Sequence, residues 1–187
     1  MDTILVQKRD PAAKAKQLRR SGTVPCVIYG SGLSESLSVQ MERETARRLK
    51  RTKQSGSKVN VQLEGRSYPT LIKELDYNAC RDEIVHISFY VLDAGKKISS
   101  VADIVLLNPD KAAGVLEQIQ MRIPHMATPE HLLDTVTVDL EQIPVGTTLT
   151  IGDIPAFNSD NIELLADPAS IVLRVNDKKR LGGQDEG

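Results

Sequence analysis

Tryptophan is absent from this sequence of 187 residues, which contains only four tyrosines and two phenylalanines. So few aromatic rings exclude a nucleic-acid surface built mainly on base stacking. Cys26 and Cys80 lie far apart and form no C-x-x-C pair, so we expect reduced thiols rather than a disulfide or zinc framework. No apolar run approaches the ~18 residues of a membrane helix, and the charged N-terminus is unlike a signal peptide. We therefore expect a cytoplasmic protein without a membrane segment.

Residues that carry catalysis or bind metals are also scarce. His125 and His131 are separated by a proline and lack the i, i+4 spacing of a helical metal pair. No nucleophile elbow or other catalytic constellation is present. Gly30-Ser31-Gly32 lacks the remaining glycine of a dinucleotide-binding loop and the lysine of a P-loop, which favours a hairpin turn. The sequence thus predicts no enzyme activity, cofactor, metal or small-molecule substrate.

The formal net charge of −1 conceals two halves of opposite sign. Residues 1–91 contain sixteen lysines and arginines against ten carboxylates, whereas residues 92–187 contain eight basic residues against fifteen acidic ones. Charge asymmetry of this kind indicates that one half contacts a polyanion. Because the second half is acidic, a protein neighbour is a better candidate partner for it than a second polyanion.

Alternating apolar residues and turn signals predict a mainly β protein. In the first half they indicate a small antiparallel β-barrel with two helices, one between Asp10 and Gly22 and one over Glu42–Lys53. The predicted strands of this half are Thr3–Lys8, Val24–Gly30, Ser36–Gln40, Lys58–Leu63, Arg66–Ile72 and Ile84–Leu92.

The second half is predicted to be a separate β-rich domain. Its predicted strands are Ile98–Leu107, Val115–Ile123, Thr135–Leu140, Thr148–Ile151 and Ser170–Val175. The polar segment at residues 93–97, where the charge changes sign, is the expected linker. The predicted organisation is a barrel domain (1–92), a linker (93–97), an acidic domain (98–176) and a flexible tail (177–187).

Both predicted helices carry basic side chains on one face. A solvated face explains one such helix, but two within one half favour a polyanion partner whose phosphates the cations contact. The two sets are Lys16, Arg19 and Arg20 in the first helix and Arg43, Arg47 and Arg51 in the second.

At this point the residues resemble a known family. The run PAAKAKQLRRSGTVPCVIYG, from Pro11 to Gly30, is similar to the GKGAARRLRxxGxxPAVIYG motif of bacterial large-subunit ribosomal protein L twenty-five, also called general stress protein Ctc. The resemblance continues through Gly65–Lys73 and Glu83–Phe89. The second half resembles the extra domain of the family's long, two-domain form, in the stretches Ala113–Gln118, Asp139–Ile154 and Glu163–Pro168.

The resemblance implies a function and a set of site residues. Members of that family bind the loop E region of 5S ribosomal RNA through the N-terminal barrel, as part of the large ribosomal subunit. Lys16, Arg19, Tyr29 and His86 stand where the family has RNA-contacting residues. With the neighbouring basic residues of the first helix, the candidate RNA-binding set is Lys14, Lys16, Arg19, Arg20, Tyr29 and His86.

Several positions depart from the family pattern in ways that bear on RNA affinity. Ala12 and Gln17 replace cations of the first helix, Gln7 stands where arginine is frequent, Asp76 replaces a glutamine and Ser88 replaces an aspartate. The alternative function is therefore a stress-related paralogue of the same fold that has weakened RNA binding and acts through protein contacts.

Overall fold

The computed structural model describes residues 2–112 and 114–177, and the chain divides into two compact units, Met1–Lys96 and Lys97–Gly187. The first unit is a closed six-stranded barrel in the order β1-β3-β2-β6-β5-β4, with two α-helices. Its elements are β1 (Asp2–Lys8), α1 (Ala15–Arg20), β2 (Thr23–Gly30), β3 (Leu37–Glu42), α2 (Arg43–Thr52), β4 (Lys58–Leu63), β5 (Arg66–Asn78) and β6 (Glu83–Val91).

The barrel is mixed, which corrects the prediction of a purely antiparallel one. β1 pairs in parallel with β4, and β2 pairs in parallel with β6. The antiparallel pairs β2–β3, β4–β5 and β5–β6 join strands that follow each other in sequence, as hairpins do. The two parallel pairs join strands that are distant in sequence. The alternation of apolar and polar side chains within a strand does not indicate whether its neighbour runs parallel or antiparallel to it.

Alternation places one face of every strand in the core of the barrel. Half-buried and buried residues alternate regularly in β4, whose Val59, Val61 and Leu63 point inward. Ala46 and Leu49 of α2 belong to the same core, so this helix packs its apolar side against the barrel. Cys26 is part of this core too, and burial raises the pKa of its thiol to about 12.

The first helix is shorter than the sequence predicts. Pro11 lies in a turn that the Asp10 side chain caps by accepting from the Ala12 backbone N–H at 2.9 Å, and α1 itself starts at Ala15. Its end is where the sequence places it, because Gly22 adopts a left-handed conformation with φ of +85°.

The second unit contains two sheets. The elements are β7 (Ile98–Leu107), β8 (Val115–Gln118), β9 (Arg122–Ala127), β10 (Thr135–Asp139), β11 (Thr148–Thr150), β12 (Ile162–Leu164) and β13 (Ile171–Asn176). One sheet has the order β10-β7-β9-β12 and the other β11-β13-β8. The buried side chains of Ile123, Ile151, Phe157 and Val172 belong to one core of this unit.

Two strand predictions in this unit differ from the structure. The strand predicted over Val115–Ile123 is two strands, β8 and β9, with the exposed Met121 between them. β9 continues through Pro124, which lies opposite Val101 of β7. The short β12, which pairs with β9, had no periodic signal in the sequence.

The segment predicted as a linker is fastened to the barrel over part of its length. Asp93 accepts a hydrogen bond from the Ser31 hydroxyl at 2.8 Å and lies 3.3 Å from the Lys96 ammonium. The boundary between the two compact units lies within this segment, between Lys96 and Lys97. Apart from Asp177, the predicted tail lies outside the described residues.

Candidate nucleic-acid interface

The basic side chains of α1 lie on the surface of the barrel unit. Leu18 is the buried residue of this helix and faces β2, and the opposite side carries the exposed Lys16 and Arg20. Lys14 occupies the N-cap position and is also exposed. These three cations have no ion-pair partner among the described residues, so their charge is available to a ligand.

Arg19 lies on the flank of the same helix, beside β6. It is half-buried, and its Nη1 donates to the carbonyl oxygen of Val85 at 3.4 Å. Val85 is the extra residue of a β-bulge, because Asp76 of β5 pairs with His86 whereas Tyr77 pairs with Ile84. Bulges turn the adjacent side chain relative to a regular strand. Arg19 thus satisfies a carbonyl at the irregularity directly before His86.

His86 is half-buried on the outer face of β6, since its neighbours Ile87 and Phe89 belong to the core. Asp76 lies directly opposite it on β5, and the Ser88 hydroxyl is 3.5 Å from its Nδ1. The imidazole is therefore flanked by an acceptor carboxylate and by a hydroxyl that either donates or accepts. The imidazole and the hydroxyl are suited to donate to phosphates or base edges, whereas the Asp76 carboxylate can accept only from donors on the bases and repels phosphates.

Tyr29 lies on the same outer face, farther along the barrel. Cys26 pairs with Ile87, so Pro25 is level with His86, and Tyr29 follows four residues later, or about 13 Å along the strand. Its ring packs edge-on against Tyr90 with centroids 5.5 Å apart. Burial raises the pKa of the Tyr29 hydroxyl, and the negative charge of Glu74 raises it further, so this hydroxyl remains a neutral donor.

The basic stripe of α2 is in large part engaged within the protein. Arg43 lies 3.9 Å from the Glu83 carboxylate, and Arg47 contacts the carboxylates of Glu44 at 3.3 Å and Asp82 at 3.9 Å. The predicted stripe therefore does not present three equivalent cations to a ligand. It anchors α2 to the connection between β5 and β6.

Other contacts strengthen this anchor. The Lys50 ammonium lies 2.9 Å from the centroid of the Tyr77 ring, a cation–π arrangement. The Tyr77 hydroxyl donates to Asp82 at 2.6 Å, and this hydrogen bond, with the nearby charges of Arg47, Lys50 and Arg51, lowers the pKa of Asp82.

The site residues predicted from the sequence thus share one side of the barrel but form two groups. Arg19 contacts the bulge residue Val85, directly before His86, whereas Tyr29 lies farther along the face with Tyr90. Sequence reasoning missed the bulge at Val85 and the contacts of Arg43. The only signal for Tyr90 was its alternation with the core residues Phe89 and Val91.

Neither a metal site nor a membrane-spanning helix is found in the described part of the chain. No group of three or more histidine, cysteine, aspartate or glutamate side chains there is arranged to hold a metal ion. Within the same residues, no helix has the length and apolar character needed to cross a membrane.

Comparison with protein families decides what the chain is related to. Residues 4–89 match the model of the ribosomal L25p family, and residues 97–179 match that of the C-terminal domain of ribosomal protein TL5. The chain belongs to the ribosomal L25p family. It has the long form with two domains, and because members of this family are structural proteins, it is not an enzyme.

Individual L25p relatives align along most of the chain. A protein of Gloeothece citriformis named large ribosomal subunit protein bL25 is 27% identical over 98% of this chain and 95% of its own length. Proteins with the same name from Bacillus licheniformis and Listeria monocytogenes are 29% and 28% identical, over 81% and 91% of this chain and 76% and 84% of their own lengths.

The positions that the resemblance marks as different from the family motif lie around the same face. Asp76 and Ser88 both adjoin His86, one across the strand pair and one two residues along the strand. Gln7 lies opposite Gln40 of β3, and Gln17 is an exposed residue of α1. The changes therefore alter the chemistry of the face without touching the core of the barrel.

Proposed function

We propose that this protein is a structural component of the large ribosomal subunit and that it binds the loop E region of 5S ribosomal RNA through its barrel unit. Membership of the L25p family and the names of its relatives support the ribosomal role. The observation that supports the RNA-binding surface is the contact of Arg19 with Val85, the bulge residue directly before His86 in β6, close to the exposed cations of α1.

In this proposal the residues of the face have different tasks. Lys14, Lys16 and Arg20 contact phosphates, which fixes the orientation of the RNA without reading its sequence. Arg19 and His86 contact the groove, since the minor groove of RNA is wide and shallow enough for side chains. Tyr29 donates its hydroxyl at the far end of the same surface. The location that follows is the cytoplasmic ribosome.

A titration of a labelled loop E fragment, with a scrambled duplex of the same length as control, tests this function. We expect preferential binding of loop E. If about four phosphates are contacted, affinity falls roughly a hundredfold between about 50 and 200 mM salt. Equal affinity for the two RNAs, or no binding at about 100 mM salt, contradicts the proposal and favours the paralogue that acts through protein contacts.

A further inference from the structure

Arg43, the first residue of α2, connects three elements of the barrel unit. Its Nη2 donates to the backbone carbonyl oxygen of Arg19 and lies 3.9 Å from the Glu83 carboxylate of β6. Its backbone N–H donates to the carbonyl oxygen of Gly22 at 2.9 Å. One residue thereby holds the start of α2, the C-terminal end of α1 and the start of β6 together.

The contacts of Arg43 lead directly to the candidate RNA-binding side chains. Arg19, whose carbonyl Arg43 holds, donates through its own guanidinium to the carbonyl oxygen of Val85. Val85 is the bulge residue before His86. A continuous chain of contacts therefore runs from Glu83 through Arg43 and Arg19 to the bulge.

We propose that Arg43 is a positioning residue for RNA recognition, which sets the separation between the Arg19 guanidinium and the His86 imidazole. The proposal rests on the function proposed above, because it concerns the same surface. In this proposal Arg43 acts through Arg19 rather than on the RNA, since its Nη2 donates to the Arg19 carbonyl and lies 3.9 Å from the Glu83 carboxylate.

A positioning role and a direct phosphate contact have different signatures. Loss of one phosphate contact weakens binding to every RNA and reduces the slope of log affinity against log salt by about 0.9. Loss of positioning weakens binding to loop E, leaves binding to a scrambled duplex unchanged and preserves the salt slope. The effect of replacing Arg43 also disappears once Arg19 has been replaced, because the guanidinium that Arg43 positions is then absent.

The test is a double-mutant cycle on RNA binding with the full chain. Wild type, Arg43→Gln, Arg19→Gln and the double variant are titrated with loop E and with the scrambled duplex at several salt concentrations. We expect Arg43→Gln to weaken loop E binding about tenfold in the wild-type background and less than about threefold in the Arg19→Gln background, as for coupled residues.

Arg47→Gln is the matched control. Arg47 lies one turn farther along α2 and also pairs with carboxylates, but no contact with α1 is found for it among the described residues. We expect this variant to bind loop E as the wild type does. A tenfold loss for Arg47→Gln as well would attribute the effect to the general anchoring of α2 and would overturn the proposal.

Two other outcomes overturn the proposal as well. One is an equal effect of Arg43→Gln in both backgrounds, and the other is an equal loss on both RNAs with a smaller salt slope. If Arg43→Gln unfolds, the cycle is repeated with Arg43→Lys, whose single ammonium cannot reproduce the two directed contacts, and absence of coupling there also counts against the proposal. If wild type does not prefer loop E, the proposed function fails too; if it does and only the coupling is missing, this inference alone fails.

Discussion

At the scale of single residues, the cations of the barrel unit divide by what surrounds them. Some are held by carboxylates and fasten helix to strand, while others project from α1 with no ion-pair partner among the described residues. Exposed ion pairs contribute little to stability, so the first group matters chiefly because it fixes the position of the helix relative to the strands. The held cations are Arg43, Arg47 and Lys53, and the projecting ones are Lys14, Lys16 and Arg20.

We expect the replacement of Arg19 to affect RNA binding most clearly. We expect Arg19→Ala to weaken binding of loop E by about 1–3 kcal/mol, because a charged contact with the RNA is lost. Arg66→Ala is the control, since Arg66 is an exposed arginine at the other end of the β4–β5 hairpin from the site. Fluorescence anisotropy of the labelled fragment measures both variants, and an unchanged affinity for Arg19→Ala removes Arg19 from the interface.

His125 makes the stability of the second unit depend on pH. It is 0% exposed, and its Nε2 accepts a hydrogen bond from the Leu133 backbone N–H at 3.2 Å. Burial lowers the pKa of its imidazole, although the Ile123 carbonyl and the charge of Asp134 oppose the shift. The unfolded chain then binds more protons than the folded one below pH of about 6.5, so the free energy of unfolding decreases as the pH falls through this value.

Urea unfolding at about pH 7.5 and about pH 5.5 measures this effect, with the pH values chosen on either side of the ordinary histidine pKa. All four tyrosines lie in the first half of the chain, so tyrosine fluorescence follows the barrel unit, whereas circular dichroism follows both units. We expect the transition seen only by circular dichroism to move to lower urea at the lower pH. The exposed His131 supplies the control His131→Gln, and a pH dependence that persists in His125→Gln contradicts the assignment.

At the scale of elements, the end of β2 shapes the aromatic part of the candidate interface. Gly30 has φ of +119°, and a Cβ there would lie 2.9 Å from the Cε2 of Tyr90 and 3.1 Å from the backbone nitrogen of Val91. The Tyr90 ring packs against Tyr29, so any side chain at position 30 displaces a group of the face.

We therefore expect Gly30→Ala to destabilise the barrel unit by about 1–3 kcal/mol. Gly32→Ala is the matched control, because Gly32 also has positive φ, +78°, but no described atom lies within 4 Å of its Cβ position. Its cost is the left-handed strain alone, about 1 kcal/mol. Urea unfolding followed by tyrosine fluorescence compares the two, and equal stabilities show that contact with Tyr90 does not matter.

Local patterns explain which elements were predictable. The β4–β5 hairpin follows from alternation on both sides of Glu64-Gly65, and both turn residues have positive φ, +47° and +80°. Strand direction was not predictable, since β1 reaches β4 only when the barrel closes. The continuation of β9 through Pro124 was missed because a proline usually ends a strand. Here the neighbouring residues keep their pairing with β7 on both sides of it.

The candidate site was predictable as a list of residues but not as an arrangement. The motif from Pro11 to Gly30 and the resemblance around His86 supplied the candidate side chains, whose contact with RNA stays a prediction. The bulge at Val85 depends on the register between β5 and β6, and the role of Arg43 depends on how α2 meets α1. Both are tertiary features that no spacing within one element encodes.

At the scale of the whole molecule, the near-neutral total charge is the sum of two distinct units. The basic unit has its own core, which includes Ile28 and Phe89, and the acidic unit has another, which includes Ile123 and Phe157. In the proposed function the RNA binds the basic unit alone. The second unit then contributes no RNA contacts, so binding leaves the environment of its backbone unchanged.

The most direct test of this account is a map of amide chemical shifts in the isotope-labelled full chain as the loop E fragment is added. We predict that the perturbed amides belong to α1 and to the outer face around Tyr29 and His86, and that the amides of residues 98–177 keep their positions. Perturbations confined to the second unit, or none at RNA concentrations that saturate binding, would contradict it.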